Sequence, residues 1–193
     1  ALMQQLLTGK KRFPEFEGEW EKIRLGDYAK IQSGGTPRTT IAEYYDNGKI
    51  PWVSISDMTA YGKYINKTDR NITDKGLENS SAKLYPQGTV LYAMYASIGE
   101  VSIASVDLTS SQAILGIQPD PEVINNHYLY FYLKSLQEKI ILMGQQGTQS
   151  NLNAGMVKGF RLNLPSLEEQ QKIAAVLNTA DREIELLAQK LDY

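Results

Sequence analysis

The clearest pattern of apolar and polar positions lies near the C-terminus. Apolar residues recur there at alternating spacings of four and three, at Ile173, Leu177, Ala180, Ile184, Leu187 and Leu191. This heptad spacing predicts a helix that packs along another helix, with these residues as its seam. Ser166 and Glu169 have the spacing of a capping box, which places the helix start at Ser166. We therefore expect a coiled-coil spacer or docking helix over residues 166–193, outside the compact core.

The first residues predict a second helical end. Leu2 and Leu6 are one helical turn apart, and Gly9 followed by two lysines is a C-terminal stop signal. We therefore expect residues 1–12 to contain the end of a helix. The chain would then be either a fragment of a longer protein or a half-unit that pairs with a copy. The alternative is an ordinary globular domain with a frayed N-terminus.

The pattern between these ends is mostly that of strands and turns. Short apolar or alternating segments, bounded by Gly and Pro, predict strands within residues 20–31, 50–55, 90–94, 101–104 and 112–117. One helix is predicted among them, over residues 126–143, because its apolar residues fall on one face. We expect an α+β fold, with a curved, mostly antiparallel β-sheet and a packed helix over residues 13–165.

Composition narrows the class of protein. The chain has 193 residues, with 20 basic and 22 acidic side chains and no cysteine. Its apolar and charged fractions are those of a globular domain. No apolar run indicates a membrane span, and no leader pattern indicates secretion, so the cytoplasm is the expected compartment. The net charge is close to zero and gives no global argument for binding nucleic acid.

Candidate catalytic chemistry is sparse. The single histidine, His127, has no Asp or Glu at a metal-ligand or triad spacing, and it stands at a predicted helix start, where a structural role is expected. Residues 33–36 lack the lysine and the spacing of a phosphate-binding loop. Residues 119–122 are typical of a turn rather than of a nuclease centre. A stand-alone enzyme is therefore disfavoured, and no metal or cofactor is expected.

Three polar loops carry side chains suited to reading nucleic acid. The first, over residues 33–40, contains Thr36, Arg38 and Thr39. The second, over residues 59–71, contains Tyr61, Lys63, Lys67 and Arg70. The third, over residues 144–153, contains Thr148, Gln149, Ser150, Asn151 and Asn153, and it lies in an acid-free stretch over residues 139–161. Taken alone, each loop is more typical of a solvated surface than of a binding site.

The order of several motifs carries a family resemblance. These motifs occupy residues 20–27, 34–37, 50–53, 88–91, 97–99, 147–152 and 164–173. Together they resemble the DNA specificity subunit of type I restriction-modification systems. The most specific part is Leu-Pro-Ser-Leu-Glu-Glu-Gln-Gln-Lys-Ile at residues 164–173, followed by the heptad helix.

The resemblance implies a target recognition domain over residues 13–165, flanked by the end of one spacer helix over residues 1–12 and a second over residues 166–193. It implies a noncatalytic chain that reads one half of a bipartite site on double-stranded DNA. The implied partners are methyltransferase (modification) and restriction subunits, and a second copy of this chain through the spacer helices. Two alternatives remain: a binding module for a protein or carbohydrate on the same loops, and a stand-alone nuclease.

Overall fold

The computed structural model describes residues 2–145 and 152–191, and it is a mixed α/β structure. The helices are α1 (Leu2–Leu7), α2 (Ile55–Tyr61), α3 (Asp74–Glu78), α4 (Asn126–Gln145), α5 (Ala154–Lys158) and α6 (Leu167–Leu191). The strands are β1 (Glu21–Arg24), β2 (Ala29–Ser33), β3 (Ile50–Val53), β4 (Tyr64–Ile65), β5 (Asn71–Ile72), β6 (Val90–Ala93), β7 (Val101–Ala104), β8 (Thr109–Ser110), β9 (Ile114–Pro119) and β10 (Arg161–Leu164).

The strands form three sheets rather than the single curved sheet that was expected. A five-stranded sheet has the order β2-β9-β6-β7-β4, a three-stranded sheet has the order β5-β3-β8, and β1 pairs with β10. The prediction of mostly antiparallel pairing is confirmed, although β4 pairs with β7 and β3 pairs with β8 in parallel.

The residues of strand β6 show that both faces of the five-stranded sheet must be covered by other elements. Val90 and Tyr92 belong to the main core, which includes residues of α1, α4 and the start of α6. Leu91, between them, belongs to a second apolar cluster with Val53 and Met58. Alternate residues of a strand point to opposite faces, so both faces of the five-stranded sheet are apolar. The segment around β3 and α2 covers the second face.

The expectation of one helix between the two ends was wrong. Helices α2, α3 and α5 are also present, and each follows a capping residue. The Ser54 hydroxyl accepts a hydrogen bond from the Asp57 amide, and the Asp57 carboxylate accepts one from the Ser54 amide. Such helices have two turns or fewer, so their caps identify them better than apolar periodicity does. As a result, Tyr61 lies at the end of a helix rather than in a long loop.

Helix α6 begins as predicted, but its capping box is only half formed. The Ser166 hydroxyl accepts from the Glu169 amide at 3.3 Å. The Glu169 carboxylate instead accepts two hydrogen bonds from the Arg12 guanidinium, at 2.9 and 2.8 Å. A guanidinium provides a bidentate, charge-assisted partner for a buried carboxylate, whereas one backbone amide does not. The segment after α1 is thereby tied to the start of α6.

The expectation that this helix lies outside the core was wrong for its first half. Ile173 and Leu177 are buried in the main core together with Leu6 and Leu7 of α1. Residues 182–190 are all exposed, and Ile184 retains 64% of its surface. The N-terminal helix is confirmed over Leu2–Leu7. A coiled coil therefore stays a prediction for the exposed half of α6 alone.

Candidate nucleic-acid interface

The first polar loop is held tightly against the protein before it reaches the surface. The Gly34 amide donates to the Ile114 carbonyl at 3.0 Å, and the Gly35 amide donates to the Ser110 carbonyl at 2.8 Å. A Cβ atom at Gly35 would lie 2.4 Å from the Ala82 nitrogen, so only glycine fits there. Arg38 lies just beyond this anchored segment and is exposed.

Two aromatic side chains connect the first loop to the three-stranded sheet. The indole nitrogen of Trp52, on β3, donates to the Gly35 carbonyl at 2.9 Å. The Tyr45 hydroxyl donates to the Pro37 carbonyl at 2.6 Å. Each ring therefore fixes the backbone of the loop and presents a flat apolar surface beside it.

Arg70, from the second loop, lies over these same two rings. Its guanidinium carbon is 4.5 Å from the ring centre of Tyr45 and 5.9 Å from that of Trp52. Burial raises the pKa of Tyr45, and the positive charge of Arg70 partly offsets that rise. Stacking on two rings limits the rotation of a long side chain and orients the plane of its guanidinium.

The backbone around Arg70 is also fixed. The Trp52 amide donates to the Arg70 carbonyl at 3.1 Å, and the Thr68 hydroxyl donates to the same carbonyl at 2.7 Å. The Asp69 amide donates to the carboxylate of Asp57 at 2.8 Å. This turn is therefore a rigid platform for the exposed side chains that it carries.

Tyr61 and Lys67 flank the same turn. The Tyr61 hydroxyl donates to the Asp69 carboxylate at 2.9 Å, and the bond and the negative charge of Asp69 together with burial raise the pKa of the tyrosine. The Lys67 ammonium lies 5.1 Å from the centre of the Tyr61 ring and is exposed. The second loop thus presents an exposed lysine as well as Arg70.

Backbone hydrogen bonds link the described end of the third loop to the end of β6, and the end of β6 to the neighbourhood of the first loop. The Leu152 amide donates to the Met94 carbonyl at 3.2 Å, and the Met94 amide donates to the Ala113 carbonyl at 2.9 Å. Beside Ala113, the exposed Gln112 accepts a hydrogen bond from the Thr36 hydroxyl. Because the end of β6, the start of β9 and the first loop are neighbours, the first two loops and the described end of the third lie at one edge of the sheets.

Asn153 is the last predicted site residue with a described position. Its side-chain oxygen accepts from the Met156 amide at 3.0 Å and caps α5, while the side chain remains exposed. The candidates Thr148, Gln149, Ser150 and Asn151 lie outside the described residues. We call the surface formed by the following residues the loop edge: Thr36, Arg38, Thr39, Tyr45, Tyr61, Lys67, Arg70, Gln112 and Asn153.

The loop edge has the chemistry that recognition of nucleic acid requires. Within residues 2–145 and 152–191, no ion pair involves Arg38, Lys67 or Arg70. Their charges are therefore available to phosphates or to guanine, while the hydroxyl of Thr39 and the amide groups of Gln112 and Asn153 suit base edges or backbone.

Lys63 is the one described candidate in the polar loops that the structure turns away from this edge. Its ammonium donates to the side-chain oxygens of Asn178 and Asp181 on α6, at 2.6 and 2.9 Å. Only 11% of the side chain is exposed. Sequence reasoning had no means to place this contact, because Lys63 and Asp181 are 118 positions apart.

Sequence reasoning missed three residues of this surface and its floor. They are Tyr45, Trp52 and Gln112. An aromatic pair at Tyr44 and Tyr45 in an otherwise polar segment was an available signal for the first. Trp52 was assigned to a strand correctly, but its contact with Gly35 depends on how two sheets meet. Nothing in the local sequence marks Gln112.

Among residues with described positions, no group of three or more His, Cys, Asp and Glu side chains could hold a metal ion. Burial, followed by the charge of Lys63, lowers the pKa of His127, which packs beside Tyr64. In the same part of the chain, no helix has the length and apolar character to cross a membrane.

A family model described as the type I restriction modification DNA specificity domain matches residues 17–192. The chain belongs to this family. The predicted family resemblance is thereby confirmed over the recognition domain and the helix that follows it.

Members of the family with curated names align with most of this chain. The MjaIX specificity subunit of Methanocaldococcus jannaschii is 36% identical over 169 residues, covering 86% of this chain and 39% of its own length. The EcoR124I/EcoR124II specificity subunit of Escherichia coli is 27% identical over 198 residues, covering 94% and 48%. The chain thus spans less than half the length of these two relatives, which is one recognition domain with its helix.

Solved specificity subunits share the fold. The HsdS subunit of Thermoanaerobacter tengcongensis superposes with a TM-score of 0.72 at 22% identity, over 98% of this chain and 44% of that one. The S subunit of M. genitalium gives a TM-score of 0.70 at 14% identity, over 99% and 48%. The arrangement of sheets and helices is therefore that of specificity subunits.

Proposed function

We propose that this chain binds a specific sequence of double-stranded DNA through the loop edge, as a specificity subunit of a type I restriction-modification enzyme. The observation that carries the proposal is the convergence of the polar loops on one edge, where Arg38, Lys67 and Arg70 have no ion pair among the described residues. Family membership supplies the substrate class. Among the described residues, no specific contact favours another class of ligand.

The residues of the loop edge divide into two proposed roles. Arg70 and Gln112 have fixed surroundings and suit direct contact with bases. Exposed side chains without a fixed partner, such as Arg38, suit phosphates and position the domain on the duplex. The same positioning role is proposed for Lys67. Contact with base edges or with the DNA backbone is proposed for Thr36, Thr39, Tyr61 and Asn153, together with Thr148, Gln149, Ser150 and Asn151. Lys63 is left out because α6 holds its ammonium.

The exposed half of α6 supports a second part of the proposal. Ile184 and Leu187 retain 64% and 60% of their surfaces, and they occupy adjacent positions of the heptad seam. Exposed apolar side chains in register indicate a helix that pairs with another. We propose that two copies of this chain pair through α6, and that each reads one half of a bipartite site. Two-fold symmetry of the protein then requires a palindromic site.

The chain is proposed to be noncatalytic within its assembly. Methyl transfer and cleavage would be performed by modification and restriction subunits, and this chain would bring them to the site. Among the residues described, no group of three or more His, Cys, Asp and Glu side chains could hold a metal ion for cleavage. No cofactor is assigned to this chain.

DNA binding by the purified chain tests the proposal. We expect the chain to bind duplex DNA with an affinity that falls as salt rises, with a logarithmic slope of about −2 if Arg38 and Lys67 contact phosphates. Fluorescence anisotropy of a labelled duplex measures this slope. Salt-independent binding would favour a module for another ligand. Degradation of the duplex by the chain alone with magnesium would contradict the noncatalytic role.

A further inference from the structure

Lys63 lies where three elements of the fold meet. Its backbone carbonyl accepts from the Ile103 amide at 2.7 Å, which fixes its position beside β7. Its ammonium lies 4.2 Å from the ring centre of Phe131 and 4.8 Å from that of Tyr130, both on α4. The aromatic faces stabilise the cation on one side. Asn178 and Asp181 of α6 accept its hydrogen bonds on the other.

The two acceptors on α6 lie just before the exposed part of the helix. Asn178 and Asp181 are three positions apart and share one helix face. Asp181 is half-buried, whereas every residue from 182 to 190 is exposed. Lys63 therefore holds α6 at the point where the helix leaves the domain.

A second ion pair holds the same helix at its start. The Arg12 guanidinium binds the carboxylate of Glu169, which is 2% exposed. Residues 169 and 181 are separated by about 18 Å along the helix axis, at 1.5 Å per residue. Two attachments this far apart define a direction as well as a position.

The charge balance at Lys63 argues against a role in stability alone. The pKa of Lys63 is lowered: burial is the largest cause and the charge of Lys134 adds to it, whereas the hydrogen bond and charge of Asp181 and the charge of Glu185 act in the opposite direction. A buried ion pair whose desolvation outweighs its attraction is weak support for a fold, and apolar packing would serve as well. A directional ammonium between Asn178 and Asp181 instead fixes one orientation of the helix.

We propose that Lys63 is a positioning residue, which sets the direction in which α6 leaves the recognition domain. Through that direction it sets the separation and angle of two paired recognition domains, and hence the spacing of the DNA half-sites. The consequence for DNA rests on the proposed function, whereas the control of helix direction does not.

A distance measurement within one chain tests this role directly. The chain has no cysteine, so Lys83→Cys and Gln189→Cys allow two specific nitroxide labels on exposed positions. Residue 189 lies about 12 Å past Asp181 along the helix, so a change of about 20° in direction moves its label by about 4 Å. Lys63→Met should shift or broaden the pulsed-EPR distance distribution by this amount. Dilution with unlabelled chain removes distances between copies.

The double variant Asn178→Ala with Asp181→Ala removes both acceptors of the Lys63 ammonium on α6, and it keeps the proposal testable if Lys63→Met does not fold. Its shift should equal that of Lys63→Met. Lys67→Met is the matched control and should leave the distribution unchanged. A parental distribution in folded Lys63→Met or in the folded double variant would overturn the proposal. Because no DNA is present, that result would leave DNA binding untouched.

Discussion

Replacing Arg70 by alanine is expected to weaken binding to the chain's own DNA target by about 10- to 100-fold, the range for losing one bidentate contact with a base. The guanidinium is held over Tyr45 and Trp52, and its backbone carbonyl accepts two hydrogen bonds. The Arg70 side chain is therefore already ordered before DNA binds, and the contact costs little conformational entropy. Removing the side chain should then lose nearly the whole binding energy of that contact. Anisotropy titrations against target and scrambled duplexes measure the loss.

Two further variants separate base reading from charge. Arg70→Lys keeps the charge but loses the planar fork, so it should retain binding to the scrambled duplex and lose preference for the target. Lys67→Ala should weaken binding to both duplexes equally and reduce the slope of affinity against salt concentration by about one. If Arg70→Ala weakens binding to the target and scrambled duplexes equally, Arg70 contacts phosphate and its proposed role in reading bases is wrong.

Replacing Ile184 and Leu187 by aspartate is expected to convert a dimer of this chain into a monomer. Both side chains are exposed in the single chain, so aspartate there does not disturb the recognition domain. In a paired helix, the same positions would bury four carboxylates near one another, which is strongly unfavourable. Light scattering across a concentration series gives the mass, and circular dichroism checks that the domain remains folded.

The opposite face of the same helix provides the control. Arg182→Gln with Gln189→Asp changes the net charge by the same amount, and both residues are exposed at positions away from the seam. This pair should leave the dimer intact. A dimer that survives the seam substitutions would contradict pairing through α6.

The elements that depend on local pattern were predictable from the sequence. Strands β6 and β7 and helix α4 were expected at nearly their observed positions, because their apolar residues are regular and sufficiently numerous. The start of α6 was also correct, since Ser166 is a local capping signal. The short helices were missed because a helix of five to seven residues has too few positions for a period to emerge.

The features that depend on distant residues were not predictable. Glu169 has the spacing of a capping residue, yet its carboxylate binds Arg12, which is 157 positions away in sequence. Ile173 and Leu177 follow a coiled-coil pattern, yet the domain itself supplies their partners. A heptad pattern shows which helix face is apolar, but it does not say what covers that face. The chemistry of the loops was likewise visible, whereas their convergence required the arrangement of the sheets.

We propose that this chain selects the DNA sequence, whereas separate subunits carry out the reactions on it. The most direct test of this proposal is to sequence methylated sites in DNA from cells that express this chain with the modification subunit of the same system. We predict methylation at one palindromic, bipartite sequence, which is lost when Arg70→Ala replaces the parent chain. Methylation at the same sites without this chain, or at sites unaffected by Arg70→Ala and by other changes in the loop edge, would contradict the account.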